Sequence, residues 1–138
     1  MLLPEIQQQE RGATSLFIVD WEFSQFGHRS YDIGQMIGDF YERKYFKDID
    51  AAIWAIEAFI EGYGPMSDEM AFRTIIHTGV QLITWVIRGP PLRMRPAWAT
   101  RERAVGVVRL GMMFVLKGWE KDRVWFEGSV LARLFRDN

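Results

Sequence analysis

Apolar residues recur at helical spacing along most of this chain, and Gly-Pro steps cut the pattern into pieces. Over 49–63, Ile49, Ala52, Ile53, Ile56, Phe59, Ile60 and Tyr63 follow the i, i+3, i+4, i+7 rhythm of one helix face. Phe72, Ile75, Ile76, Gly79, Leu82, Ile83 and Val86 repeat it over 67–88. Gly64-Pro65 ends the first stretch and Gly89-Pro90-Pro91 the second, because proline lacks an N–H and clashes with the preceding turn. Helices with one apolar face must bury that face on one another.

The remaining stretches extend this reading. A helix is predicted over 32–46, with Ile33, Met36, Ile37, Phe40 and Tyr41 on one face. Asp48 is the expected N-cap of the next helix, and Ser67 that of the third, with Asp68 and Glu69 at its positive end. Residues 92–99 read as a loop. Thr100 caps a fourth helix to about residue 119, apolar on most sides and therefore expected to be central. A short fifth helix is predicted over 125–135. Before these helices the pattern changes. Leu16-Phe17-Ile18-Val19-Asp20 is a short continuous apolar run with Ile and Val inside, which predicts a buried strand. Leu2-Leu3 reads as the end of another strand, joined to it through the polar turn at Gly12. The expected fold class is mainly α with a short N-terminal β-hairpin. It forms one domain over 1–138, with the hairpin over 1–20 and a helical subdomain over 31–136.

Charge and composition narrow the function classes. A net charge of -1 supplies no basic surface for nucleic acid or an anionic membrane. The absence of cysteine excludes a disulfide framework and thiolate metal sites. The first residues carry neither a basic region nor a long apolar core, so no signal peptide is predicted. The stretch 70–87 contains Arg73, His77 and Gln81, and 105–116 is too short to span and holds Arg109. Both read as core helices, and the expectation is a cytoplasmic chain with no nucleic-acid or membrane partner.

The chemistry-bearing segment is Val19-Asp20-Trp21-Glu22-Phe23, followed by Gly27 and Tyr31-Asp32-Ile33-Gly34. A carboxylate at a strand end is well placed for a divalent cation, and Asp20 and Glu22, one residue apart, can point to the same side. Magnesium takes one or two such carboxylates with phosphate oxygens and water. The ordinary alternative is that Asp20 caps a turn and Glu22 is solvated.

This segment resembles the metal-binding segment of the aminoglycoside phosphotransferase and choline kinase-like family, and is also similar to that of methylthioribose kinases. The resemblance is sharp over 16–38. It implies that Asp20 is the magnesium ligand, that Glu22 assists the metal site, and that Asp32 sits at a helix start and braces the catalytic loop. It further implies ATP and Mg2+ as cofactors, a small-molecule hydroxyl acceptor, and the partial C-terminal lobe of a protein-kinase-like α+β fold.

The family's His-Gly-Asp catalytic loop, with an Asn a few residues later, does not occur in the 138 residues, nor does its nucleotide-binding lobe. Its Asp orients the acceptor hydroxyl and its Asn holds metal. The expectation is the C-terminal lobe of an ATP-dependent small-molecule phosphotransferase, inactive by itself and weak in nucleotide binding. The alternatives are a non-catalytic remnant that serves as a binding module, and a helical interaction domain with a coincidental motif. Apolar surface left exposed would favour self-association.

Other residues have plainer readings beside functional ones. His28 could touch substrate, but a loop histidine is more often solvated. Arg73, His77 and Gln81 share a helix face that either lines an acceptor pocket or is an ordinary polar stripe. Arg88, Arg93, Arg95, Arg101 and Arg103 are expected to form a solvated basic rim, and Trp54, Trp85, Trp98, Trp119 and Trp125 mostly core. Glu57 and Glu61, at i, i+4, repel each other and should face water or a cation.

Overall fold

The structure is a computed structural model that describes residues 26–64, 66–91 and 94–135. It contains α1 (Arg29–Lys47), α2 (Ala51–Tyr63), α3 (Asp68–Arg88), α4 (Arg101–Trp119), the short α5 (Arg123–Phe126) and a closing 3₁₀ segment, Val130–Leu134. No strand occurs among the described residues. For the described residues, the expectation of a mainly α chain with a β-hairpin, as part of an α+β lobe, is therefore corrected to an all-helical body. The physical reason is that the described elements carry the helix period and the core of the described residues closes helix on helix. The predicted hairpin over 1–20 lies outside the described residues.

Three caps set the helix starts. The imidazole of His28 accepts from the Ser30 backbone N–H at 3.3 Å and lies 2.7 Å from Ser30 Oγ, so α1 begins earlier than the apolar pattern suggested. Ser67 Oγ accepts from Met70 N–H, and Thr100 Oγ1 from Arg103 N–H, as the sequence predicted for α3 and α4. Asp48 is not the cap of α2. It ends α1 in the left-handed conformation (φ 54°), where its N–H reaches Arg43 O, and Asp tolerates that region better than most residues. Its carboxylate pairs with Arg103, and α2 starts after Asp50. The predicted fifth helix is broken at Gly128-Ser129, where Ser129 caps the 3₁₀ segment.

Packing makes α3 the central element. It lies against both α1 and α4, which meet each other far less, and α2 packs on α1 and the 3₁₀ segment. Ile37, Ile56, Ile75, Leu82, Val107, Phe114 and Phe126 form the buried centre. Helix α3 is long and apolar enough to cross a membrane, and its Ala71, Phe72, Ile75 and Leu82 are buried inside this body. The expectation that α4 is central is corrected, because Val105, Met112, Leu116 and Trp119 leave an apolar stripe of α4 exposed.

Glycines set the helix crossings. A Cβ at Gly79 would lie 2.5 Å from Gly111 O, and one at Gly111 would lie 2.7 Å from Gly79 O, so α3 and α4 meet backbone to backbone. A Cβ at Gly34 would lie 2.6 Å from His77 Cβ, which brings α1 equally close to α3.

Two sequence expectations about exposed groups also change. Trp54 is 72% and Trp119 80% exposed, so neither is core. Arg95 and Arg103 are not a solvated rim. Arg103 donates to Phe46 O at 2.6 Å, tying the start of α4 to the end of α1, and Arg95 donates to the carbonyls of Pro90 and Val86. Arg93 lies outside the described residues. Glu57 and Glu61 do meet a cation, with Arg133 Nε 3.4 Å from Glu57 and its Nη1 3.7 Å from Glu61.

Candidate functional site

The second half of α1 carries Asp39, Glu42, Arg43, Phe46 and Lys47 toward one cavity of about 240 Å³. Helix α3 contributes Trp85, and the turn before α4 contributes Trp98. Phe46 is fully buried and anchors both rings, with centroids 4.8 Å from Trp85 and 6.0 Å from Trp98. The Lys47 ammonium lies 5.4 Å over Trp98, and the Arg95 guanidinium 5.7 Å over Trp85. Gln81 Nε2 donates to Asp39 Oδ1 at 3.0 Å and fixes that carboxylate against α3.

Glu42 is the unusual group. It is 7% exposed, and its Oε1 is buried without a hydrogen-bond partner. Burial pushes its pKa up to about 8, the charge of Asp39 adds to that, and Arg43 offsets part of it. Around neutral pH the carboxyl is therefore largely protonated, able both to donate and to accept. Sequence reasoning passed over Glu42. A signal was available in the i+4 series Gly34, Gly38, Glu42, in which the two glycines approach α3 closely.

Asp20 and Glu22 lie outside the described residues. Asp32 occupies the first turn of α1 and is exposed. His28, expected to be solvated, is exposed but serves as the α1 N-cap. His77 meets Tyr31 edge to face at 5.5 Å, and burial holds its pKa below the usual value, aided by the nearby charges of His28 and Arg73. Arg73 pairs with Glu69 at 2.9 Å on the surface. The Arg73, His77 and Gln81 stripe thus divides between a surface ion pair, the α1–α3 contact and the support of Asp39. None of the three lines the cavity beside Glu42. Among the described residues, no group of three or more histidine or acidic side chains could hold a metal ion.

No protein-family model matches the chain, and no solved structure matches it. Among curated proteins it is similar to Phosphotransferase FrzJ of a Cladobotryum species, with 33% identity over 118 residues. The match takes in 86% of this chain but 29% of that protein, so the chain spans less than a third of its relative's length. The similarity is to part of a phosphotransferase.

Proposed function

We propose that these residues are the helical, acceptor-side portion of an ATP-dependent phosphotransferase acting on a hydroxyl group of a small molecule. The observation that carries this reading is the similarity to Phosphotransferase FrzJ over most of the chain. The resemblance of 16–38 to the aminoglycoside phosphotransferase-like metal segment gives it chemical content. Asp20 and Glu22 are hard oxygen donors, the kind magnesium takes, so the donor set fits that ion. Asp20 would hold it, with Glu22 assisting. Bound there, Mg2+ would neutralise charge on the phosphates of ATP. Asp32 would brace the catalytic loop, and the described helices would position the acceptor. Cytoplasmic location belongs to this reading, as does self-association through the exposed α4 stripe.

The 138 residues contain no His-Gly-Asp to orient an acceptor hydroxyl. The purified chain is therefore expected to show no transfer of labelled γ-phosphate from Mg-ATP to choline, methylthioribose, homoserine or an aminoglycoside. Transfer to any of them, lost on Asp20→Ala, would overturn the inactivity of the isolated chain. The second reading, a binding module without chemistry, is favoured by the cavity at Glu42, which needs no metal.

A further inference from the structure

We propose that the cavity between α1, α3 and the turn before α4 binds a neutral, polyhydroxylated ring of about monosaccharide size, gripped by Glu42 and set against the edges of Trp85 and Trp98. The site stands on the cavity alone. Under the phosphotransferase reading the ring would belong to the acceptor, but its binding is measurable without ATP or metal.

The first argument is the unsatisfied carboxyl. A buried polar atom without a partner costs stability, and Glu42 Oε1 is such an atom on a side chain that lines a cavity. The terminal torsion of a glutamate is broad, so either oxygen can turn toward a ligand. A largely protonated carboxyl suits a hydroxyl, which also donates and accepts. Asp39 adds an acceptor, while Arg43 and Lys47 add donors.

The second argument is charge. Around neutral pH, Asp39 is outweighed by Arg43 and Lys47 while Glu42 is largely protonated. Both indole rings already carry a protein cation, Lys47 on Trp98 and Arg95 on Trp85. An organic cation would meet like charge and would have to displace these groups. A neutral ring meets no like charge, and its C–H groups can lie against the indole edges beside those cations. The third argument is size, since a cavity of about 240 Å³ is on the scale of one such ring.

The test is saturation-transfer NMR on the whole chain with methyl β-glucoside and methyl β-riboside, beside glucosamine and choline at equal concentration. At least one neutral ring should receive saturation from the protein, with each cation at least about tenfold weaker. Glu42→Leu keeps the position filled and removes both oxygens, and should weaken binding about tenfold or more through loss of the hydroxyl's partner. Trp98→Ala, at a residue 37% exposed whose ring also packs on Phe46, should weaken it independently, with retention of the fold checked by circular dichroism. No transfer to either neutral ring, tighter binding of choline or glucosamine, or unchanged binding in folded Glu42→Leu would each overturn the proposal.

Discussion

Glu42→Gln should raise the melting temperature of the chain at pH 8 and leave it nearly unchanged near pH 4. The carboxyl's pKa rises from 4.5 to about 8 in the folded protein, chiefly by burial. The folded state thus favours the protonated form more than the unfolded chain does. Its contribution is intact below the unfolded pKa, erodes as pH rises from there, and is fully lost once pH passes the folded value. Allowing for partial solvation, the loss is roughly 3 kcal/mol by pH 8, or about 10 °C for a chain of this size. Glutamine keeps the shape and cannot ionise, so the variant escapes that slope. Other groups titrate too: Glu69 and Asp122 have lowered pKa values and weaken the fold in acid. They are common to both proteins, and the difference between the two melting curves isolates Glu42. Parallel curves from pH 4 to pH 9 would show that this carboxyl is not held protonated.

The second large effect belongs to the α3–α4 crossing. A methyl group at Gly79 would meet Gly111 O at 2.5 Å, Val115 Cγ2 at 2.9 Å and Phe114 Cβ at 3.0 Å. The first of these is backbone, which moves only if the helices part. Overpacking in a formed core costs about 1–3 kcal/mol and more where backbone must shift, so Gly79→Ala should cost about 3 kcal/mol and Gly79→Val more. Gly106 provides the control. It lies on α4, and a methyl group there would have nothing within 4 Å, so Gly106→Ala should gain about 0.5–1 kcal/mol from helix propensity. Urea unfolding of the two alanine variants reads both signs. Equal effects at Gly79 and Gly106 would mean that the helices do not meet there.

The four long helices were legible because their apolar residues keep the helix period and Gly64-Pro65 and Gly89-Pro90-Pro91 mark the stops. Ser67 and Thr100 were legible as caps for a local reason, a hydroxyl just ahead of the first turn. The ends that failed were decided by distant partners. Asp48 serves α1 rather than α2 because Arg103, fifty-five residues away, takes its carboxylate. Trp54 looked like core, but α2 buries only the Ala52, Ile56 and Ile60 side. The candidate site divides in the same way. Asp20, Glu22 and Asp32 are visible as a local motif, whereas the mark of Glu42 in the sequence is indirect, its place four residues after Gly38 on the face of α1 that meets α3. That mark gives the burial of the face but not the cavity, which Trp85 and Trp98 complete from distant parts of the chain.

The most direct test of the phosphotransferase reading is a chimera. In Phosphotransferase FrzJ, the segment aligned with this chain over 118 residues would be replaced by this chain's own sequence. ATP-dependent phosphorylation of that protein's own acceptor would then be measured. The account predicts a folded chimera that transfers phosphate, and a loss of at least about a hundredfold on Asp20→Ala, since under that reading the variant loses the carboxylate proposed to hold magnesium and with it charge stabilisation at the phosphates. A folded chimera without transfer, or one whose Asp20→Ala variant keeps the parent rate, would contradict it.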